Sequence, residues 1–249
     1  MGLITAFFAT ALLYASVGFG GGSTYTALLT LTGTDFKLLP FVSLVCNVIV
    51  VTGGTIRFAR AGLVPWRKVL PLVVVSAPMA LLGGLTPIKQ PVFMTVLGIS
   101  LLVAGALLAL QREARIESMA VKNNAVADGV MGGAIGYLSG LVGIGGGIFL
   151  APVLHLMRWG EAKQIAATAS FFILVNSIAG LIGQSIKLDN SGDLGAAFAY
   201  WPLALAVFLG GQVGSWLGVN ILPPVMVRRA TGILILYVAG QLLWKTFIA

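Results

Sequence analysis

The chain has 249 residues, 58% of them apolar before its 33 glycines are counted, and only 9% charged. A soluble surface carries about 25% charged residues, so an aqueous globular domain, a nucleic-acid binder and a disordered chain are excluded, and a lipid bilayer is the solvent this composition suits. The 15 basic against 7 acidic residues, a net charge of +8, serve first as a topology signal, because basic side chains collect in cytoplasmic loops, and second as a preference for anionic ligands.

The first uncharged run, residues 1–34, opens with MGLITAFFATALLYA, which lacks a basic n-region and stays apolar past any Ala-x-Ala site, so it reads as retained structure. It is longer than the ~20 residues that span hydrocarbon, and its middle holds Gly18-Phe19-Gly20-Gly21-Gly22. Runs 38–56, 69–88 and 90–111 each fit one spanning helix. The polar stretch 111–124, with Arg112, Glu113, Arg115, Glu117 and Lys122, follows as a linker. Run 129–157 is again too long for one span and again holds a pentad, Gly143-Ile144-Gly145-Gly146-Gly147. Run 164–186 fits one span, 194–227 fits once Pro223-Pro224 ends its helix, and 230–244 fits when a snorkelling Lys245 extends it.

The pentads lie 125 residues apart, and Asn47 with Asn176, Gly54 with Gly183, and Gly98 with Gly232 recur at offsets of 129 to 134. This is the pattern of a tandem duplication, with repeats 1–110 and 125–249 around the linker 111–124. If all eight runs span, basic residues divide nine to six. If each Gly-interrupted run returns to the face it came from, they divide eleven to four, with Arg57, Arg60, Arg67, Lys68, Arg158 and Lys163 among the eleven. The second division is the stronger cytoplasmic bias. Each repeat then holds one Gly-interrupted re-entrant or broken helix plus three spanning helices, and the odd number of spans inverts the second repeat. The expected fold class is an all-α integral membrane protein of two inverted repeats with extracytoplasmic termini. Trp66 and Trp159 on one face, with Tyr200, Trp201 and Trp244 on the other, fit interfacial belts.

Glycines spaced by four make close helix seams. Gly20, Gly21 and Gly22 are adjacent, so on one helix they would point about 100° apart and cost roughly 3 kcal/mol against alanine. A backbone break suits them better. The chain then resumes as helix at Ser23-Thr24, with Ser23 the expected N-cap, and at Ile148-Phe149. Two helix N-termini near mid-membrane, each with about half a positive charge and free N–H donors, make an anion site without a charged side chain. Interrupted segments at matching places in two repeats also point to the centre of a transporter. The expected backbone contacts are Gly20, Gly21, Gly22, Ser23, Gly145, Gly146, Gly147 and Ile148. The following span of each repeat adds a polar stripe, Ser43, Asn47 and Thr55 in the first and Thr168, Ser170, Asn176 and Gln184 in the second. Hydrogen bonding between helices is an equal reading of these side chains.

One cysteine, Cys46, and one histidine, His155, leave no intrachain disulfide and no zinc, haem or iron–sulfur constellation, so neither metal nor cofactor is expected. No nucleophile, base and orienter fall together, which argues against an enzyme. Asp128 reads as a helix cap or solvated loop residue and His155 as an interfacial one.

At the pentads the sequence resembles the TauE/SafE family of sulfite exporters and toluene-sulfonate uptake permeases. Gly143-Ile144-Gly145-Gly146-Gly147 is followed by four residues and Pro152, whereas the first repeat has Ala27 at the proline position. Ser43-Leu44 and Ala167-Thr168-Ala169-Ser170 look like the small hydroxyl-bearing stretch that opens the next span. The likeness covers essentially the whole chain. It implies a bacterial or archaeal inner-membrane transporter of small sulfur-containing anions such as sulfite, thiosulfate or sulfonates, working by alternating access around the two breaks. Its partners are then the anion and the lipid bilayer, with no nucleic acid. Homo-oligomer formation stays open, as does the rival reading of a non-transporting assembly or scaffold subunit. Ala27 implies that the first half-helix begins or bends differently from the second.

Overall fold

A computed structural model describes residues 2–16, 18–110, 125–157 and 159–220, with Leu236, Ala239, Gly240 and Trp244 beyond them. Among these residues every regular element is helical: α1 (Gly2–Ser16), α2 (Gly22–Leu31), α3 (Leu38–Arg60), α4 (Trp66–Leu85), α5 (Gln90–Leu110), α6 (Ala125–Val142), α7 (Gly147–Leu156), α8 (Ala162–Ser191), the short α9 (Leu194–Ala197) with a 3-10 turn, and α10 (Trp201–Asn220). The linker 111–124, Pro223-Pro224 and most of run 230–244 lie outside the described residues.

Local chemistry accounts for the ends. Asp35 receives the amide of Lys37 on its carboxylate and that of Leu38 on its carbonyl, both at 3.0 Å, and so turns the chain into α3. Pro40 sits in the first turn of α3, where no N–H is required, and Arg57 and Arg60 close the helix at its negative end. A capping box between Glu161 and Gln164 starts α8, and Gly192 in the left-handed region stops it.

Five stretches are long and apolar enough to cross a membrane: 38–60, 66–85, 90–107, 163–191 and 194–216. α2 and α7 have ten residues each, about 15 Å, or half of a ~30 Å hydrocarbon core. Both glycine pentads interrupt the helix, as the sequence predicts. The aromatic rings of Phe7 and Tyr25 stack at 4.7 Å, and the hydroxyls of Tyr14 and Thr24 meet at 2.7 Å. Eighteen residues of straight helix would hold Phe7 and Tyr25 about 27 Å apart, so α2 folds back beside α1. The second pair does the same: Asp128, in the first turn of α6, lies beside Trp159, which follows α7, and Lys68 donates to the Trp159 carbonyl at 3.2 Å. The chain has returned to the level at which it entered.

Helix directions follow from close glycine contacts. Gly132, Gly136 and Gly140 of α6 rest on the backbone of Leu72, Ser76 and Ala80 of α4 at a constant offset of 60, so these helices run parallel. Gly210 and Gly214 of α10 rest on the backbone of Phe8 and Leu12 of α1 at an offset of 202, and these are parallel too. Across α3 and α8, Thr55 meets Ser170 at 2.9 Å while Leu44 packs on Gly180, so one number falls as the other rises and the helices are antiparallel. Each half therefore seats its first helix on a later helix of the other half. These seams use the spacing of four that the pentads lack.

Large apolar side chains remain exposed along α4 (Leu70, Val74, Leu82), α5 (Val92, Ile99, Leu102) and α8 (Ile178, Ile182, Ile186), as a surface solvated by lipid requires. Two expectations need correction. Trp66, Trp201 and Trp244 are exposed as belt residues should be, but Trp159 is only 3% exposed, because it packs under Lys68, whose ammonium lies 5.3 Å from its ring. Asp128 is likewise only 3% exposed rather than solvated, being enclosed by the same hairpin closure.

Candidate functional site

Asn47 is the tenth residue of α3, close to the middle of its span, and fully buried. Its Oδ1 accepts the amide N–H of Gly21 at 3.1 Å, and its Nδ2 donates to the carbonyl of Ile144 at 3.2 Å. One side-chain amide thus joins the two helix breaks, using its acceptor for the first and its donor for the second. The glycines are needed for that approach: a Cβ on Gly20, Gly22 or Gly145 would strike the Asn47 amide, and one on Gly147 would strike Ile173.

The two breaks reach this meeting by different backbones. At the second, Gly145 and Gly146 both take left-handed angles, with φ of 83° and 79°, which L side chains rarely adopt. At the first, Gly21 has φ −119° and is itself the N-cap of α2, without a side-chain cap bond. Ser23 is therefore not the N-cap; it is buried in the first turn, because the helix begins at Gly22. The expectation drawn from Ala27 also fails in part. α2 and α7 begin at equivalent glycines and have equal length, so the missing proline changes neither start nor extent.

Among the described residues, the amides of Gly145, Gly146, Gly147 and Ile148 donate no hydrogen bond, nor do those of Gly20, Gly22, Ser23 and Thr24. Two hydroxyls the sequence analysis does not single out lie against the second break. Ser177 Oγ is 3.1 Å from where a Cβ of Gly145 would stand, Ser139 Cβ is 3.4 Å from that of Gly146, and both hydroxyls are buried without a partner among the described residues. Ser139 stands four residues before Gly143 and Ser177 beside Asn176, a weak signal, because small hydroxyl residues are common in membrane helices.

The remaining stripe residues divide by place. Ser43 receives the Thr26 hydroxyl at 2.8 Å and pins α2 to α3. Ser170 pairs with Thr55, and Thr168 is buried with its hydroxyl unpartnered. Asn176 donates to the carbonyl of Phe172 on its own helix at 2.9 Å, leaving its Oδ1 unpartnered. Gln184 donates to the Gly140 carbonyl at 2.8 Å, one turn before the second break. Thr168 and Gln184 are about 24 Å apart along α8, so the stripe lines a path or a packing face rather than a single small ligand.

The buried Asn47 amide thus brings the two helix N-termini, with their free amides, together. Residues 3–242 match the family described as Sulfite exporter TauE/SafE. The chain belongs to the TauE/SafE family. It is similar over nearly its full length to "Probable membrane transporter protein y4hK" of Sinorhizobium fredii, with 35% identity over 247 residues and 98% of each chain covered. "Probable membrane transporter protein MJ0441" of Methanocaldococcus jannaschii is 24% identical over 234 residues, 88% of this chain and 85% of its own. No solved structure matches. This TauE/SafE chain is a multi-pass membrane transporter and not an enzyme.

Proposed function

We propose that this transporter carries small sulfur-containing anions, sulfite, thiosulfate or sulfonates, by alternating access around the two breaks. In this reading residues 1–110 and 125–249 are inverted repeats, and the antiparallel course of α3 and α8, which hold Asn47 and Asn176 at matching places, supports it. The protein sits in the inner membrane of a bacterium or archaeon, with the loop at Arg57 to Lys68 cytoplasmic and both termini outside.

The observation that carries the reading is the Asn47 clasp amid unpaired amides. An arriving oxyanion competes with Asn47 Oδ1 for the Gly21 N–H and finds the free donors of Gly145 to Ile148 opposite. The charge-assisted bond to the anion replaces a neutral one without any fixed counter-charge, so the anion is bound yet can be released, which a fixed arginine would hinder. Selectivity then falls to Ser43, Asn47, Thr168, Ser170, Asn176 and Gln184 along α3 and α8.

Liposomes containing the purified protein and tested with labelled sulfite, thiosulfate and an arylsulfonate give the direct test. Gly21→Leu and Gly146→Leu are expected to abolish uptake of whichever anion the native protein moves. Undiminished uptake by both variants would remove the breaks from the pathway.

A further inference from the structure

At the end of the molecule opposite Arg57, a pocket of about 200 Å3 lies between the C-terminal turns of α8, the first turns of α3 and α5, and the loop joining α4 to α5. Phe36, Pro87 and Phe93 form apolar walls, the two rings 6.0 Å apart, and the polar groups are Lys37, Lys187 and Ser191. Lys37 is held by Asp193 at 3.0 Å, and the Ser191 hydroxyl reaches the same carboxylate at 2.9 Å, so this side of the pocket is neutral. Lys187 is half-buried and, among the described residues, has no ion pair and no hydrogen bond. The pocket therefore carries one uncompensated positive charge against apolar walls, and a half-buried ammonium in such a place is costly until an anion joins it.

The surroundings specify what that anion is attached to. Lys187 directly follows Ile186, the last of three exposed side chains, Ile178, Ile182 and Ile186, that recur every four residues along α8. This stripe faces acyl chains in a bilayer and ends where the pocket begins. An occupant that satisfies both features joins a singly charged head to an apolar tail. The volume exceeds that of a few waters, each about 30 Å3. We propose that the pocket binds the headgroup of an anionic phospholipid, its phosphodiester on Lys187 and one acyl chain along Ile186, Ile182 and Ile178. The inference is independent of what the breaks transport.

Detergent-purified protein titrated with phosphatidylglycerol, phosphatidylcholine or soluble glycerol phosphate, with thermal unfolding as readout, tests the chemistry. Phosphatidylglycerol is expected to raise the melting temperature well above the effect of phosphatidylcholine. Lys187→Gln should bind it about fivefold more weakly and Lys187→Arg should restore binding. Equal stabilisation by the two lipids, or saturation by glycerol phosphate alone, overturns the proposal. A wild-type measurement decides the matter even should the glutamine variant not fold: phosphatidylglycerol with a diazirine in its acyl chain should cross-link to residues 178–187, and cross-links confined to other helices refute the site.

Discussion

Asn47 and Asn176 occupy corresponding places in the two halves, yet one amide satisfies two backbone groups on separate breaks and the other bonds within its own helix. Asn47→Leu strands the Gly21 N–H and the Ile144 carbonyl together, each costing about 1–3 kcal/mol when buried unpaired. Asn176→Leu removes one bond along α8 and an acceptor that has no partner, so its effect should stay within about 1 kcal/mol. Denaturation of both variants in detergent is expected to show this order, and equal losses would mean that the clasp does not hold the breaks. The sequence makes the asparagines visible as polar residues on one face of a span, but periodicity places a side chain on its own helix and says nothing about the group across the gap. Ser139 and Ser177 stay hidden for the same reason. Outside the spans the electrostatics are simple: Asp193, hydrogen-bonded to Lys37 and Ser191, is held below the usual carboxylate range, and Lys37 is raised by the same pair.

At the scale of elements, the helix breaks are legible because three adjacent glycines are a poor use of an unbroken helix, and the structure folds back at both. The seam partners are not. Gly132, Gly136 and Gly140 stand four apart in the sequence, but nothing there says that α4 is the helix they meet. The contact makes a sharp distinction among neighbouring glycines. Gly140→Ala drives a methyl into the Ala80 carbonyl and should cost about 1–3 kcal/mol. Gly133→Ala meets only the side chains of Val75 and Met79 at 3.1 and 3.5 Å, which can turn aside, so it should be near neutral or slightly stabilising through helix propensity. Melting curves that rank the two alike would contradict the parallel packing of α4 and α6.

For the whole molecule, the proposed sidedness rests on charge distribution, and labelling can check it. Cys46 is the only cysteine in the sequence, and it is buried, so introduced thiols report without background. Ala61→Cys and Lys163→Cys, both at exposed positions, should react with an impermeant maleimide from the cytoplasmic side. Thr32→Cys and Lys89→Cys, also exposed, should react from the other. Any exchange between these pairs would undo the re-entrant topology. Composition and charge lead to this proposed arrangement without coordinates, since both depend on how many times the chain crosses lipid. How the halves interlock depends on surfaces that meet only after folding.

That interlocking has a consequence for biogenesis. Phe8 and Leu12 wait for Gly210 and Gly214, some 200 residues later in translation, which at 5–20 residues per second is about 10–40 s. During that interval α1 sits in the bilayer with its docking surface unfilled, so the nascent first half depends on lipid or the insertion machinery to shield it until the C-terminal half emerges.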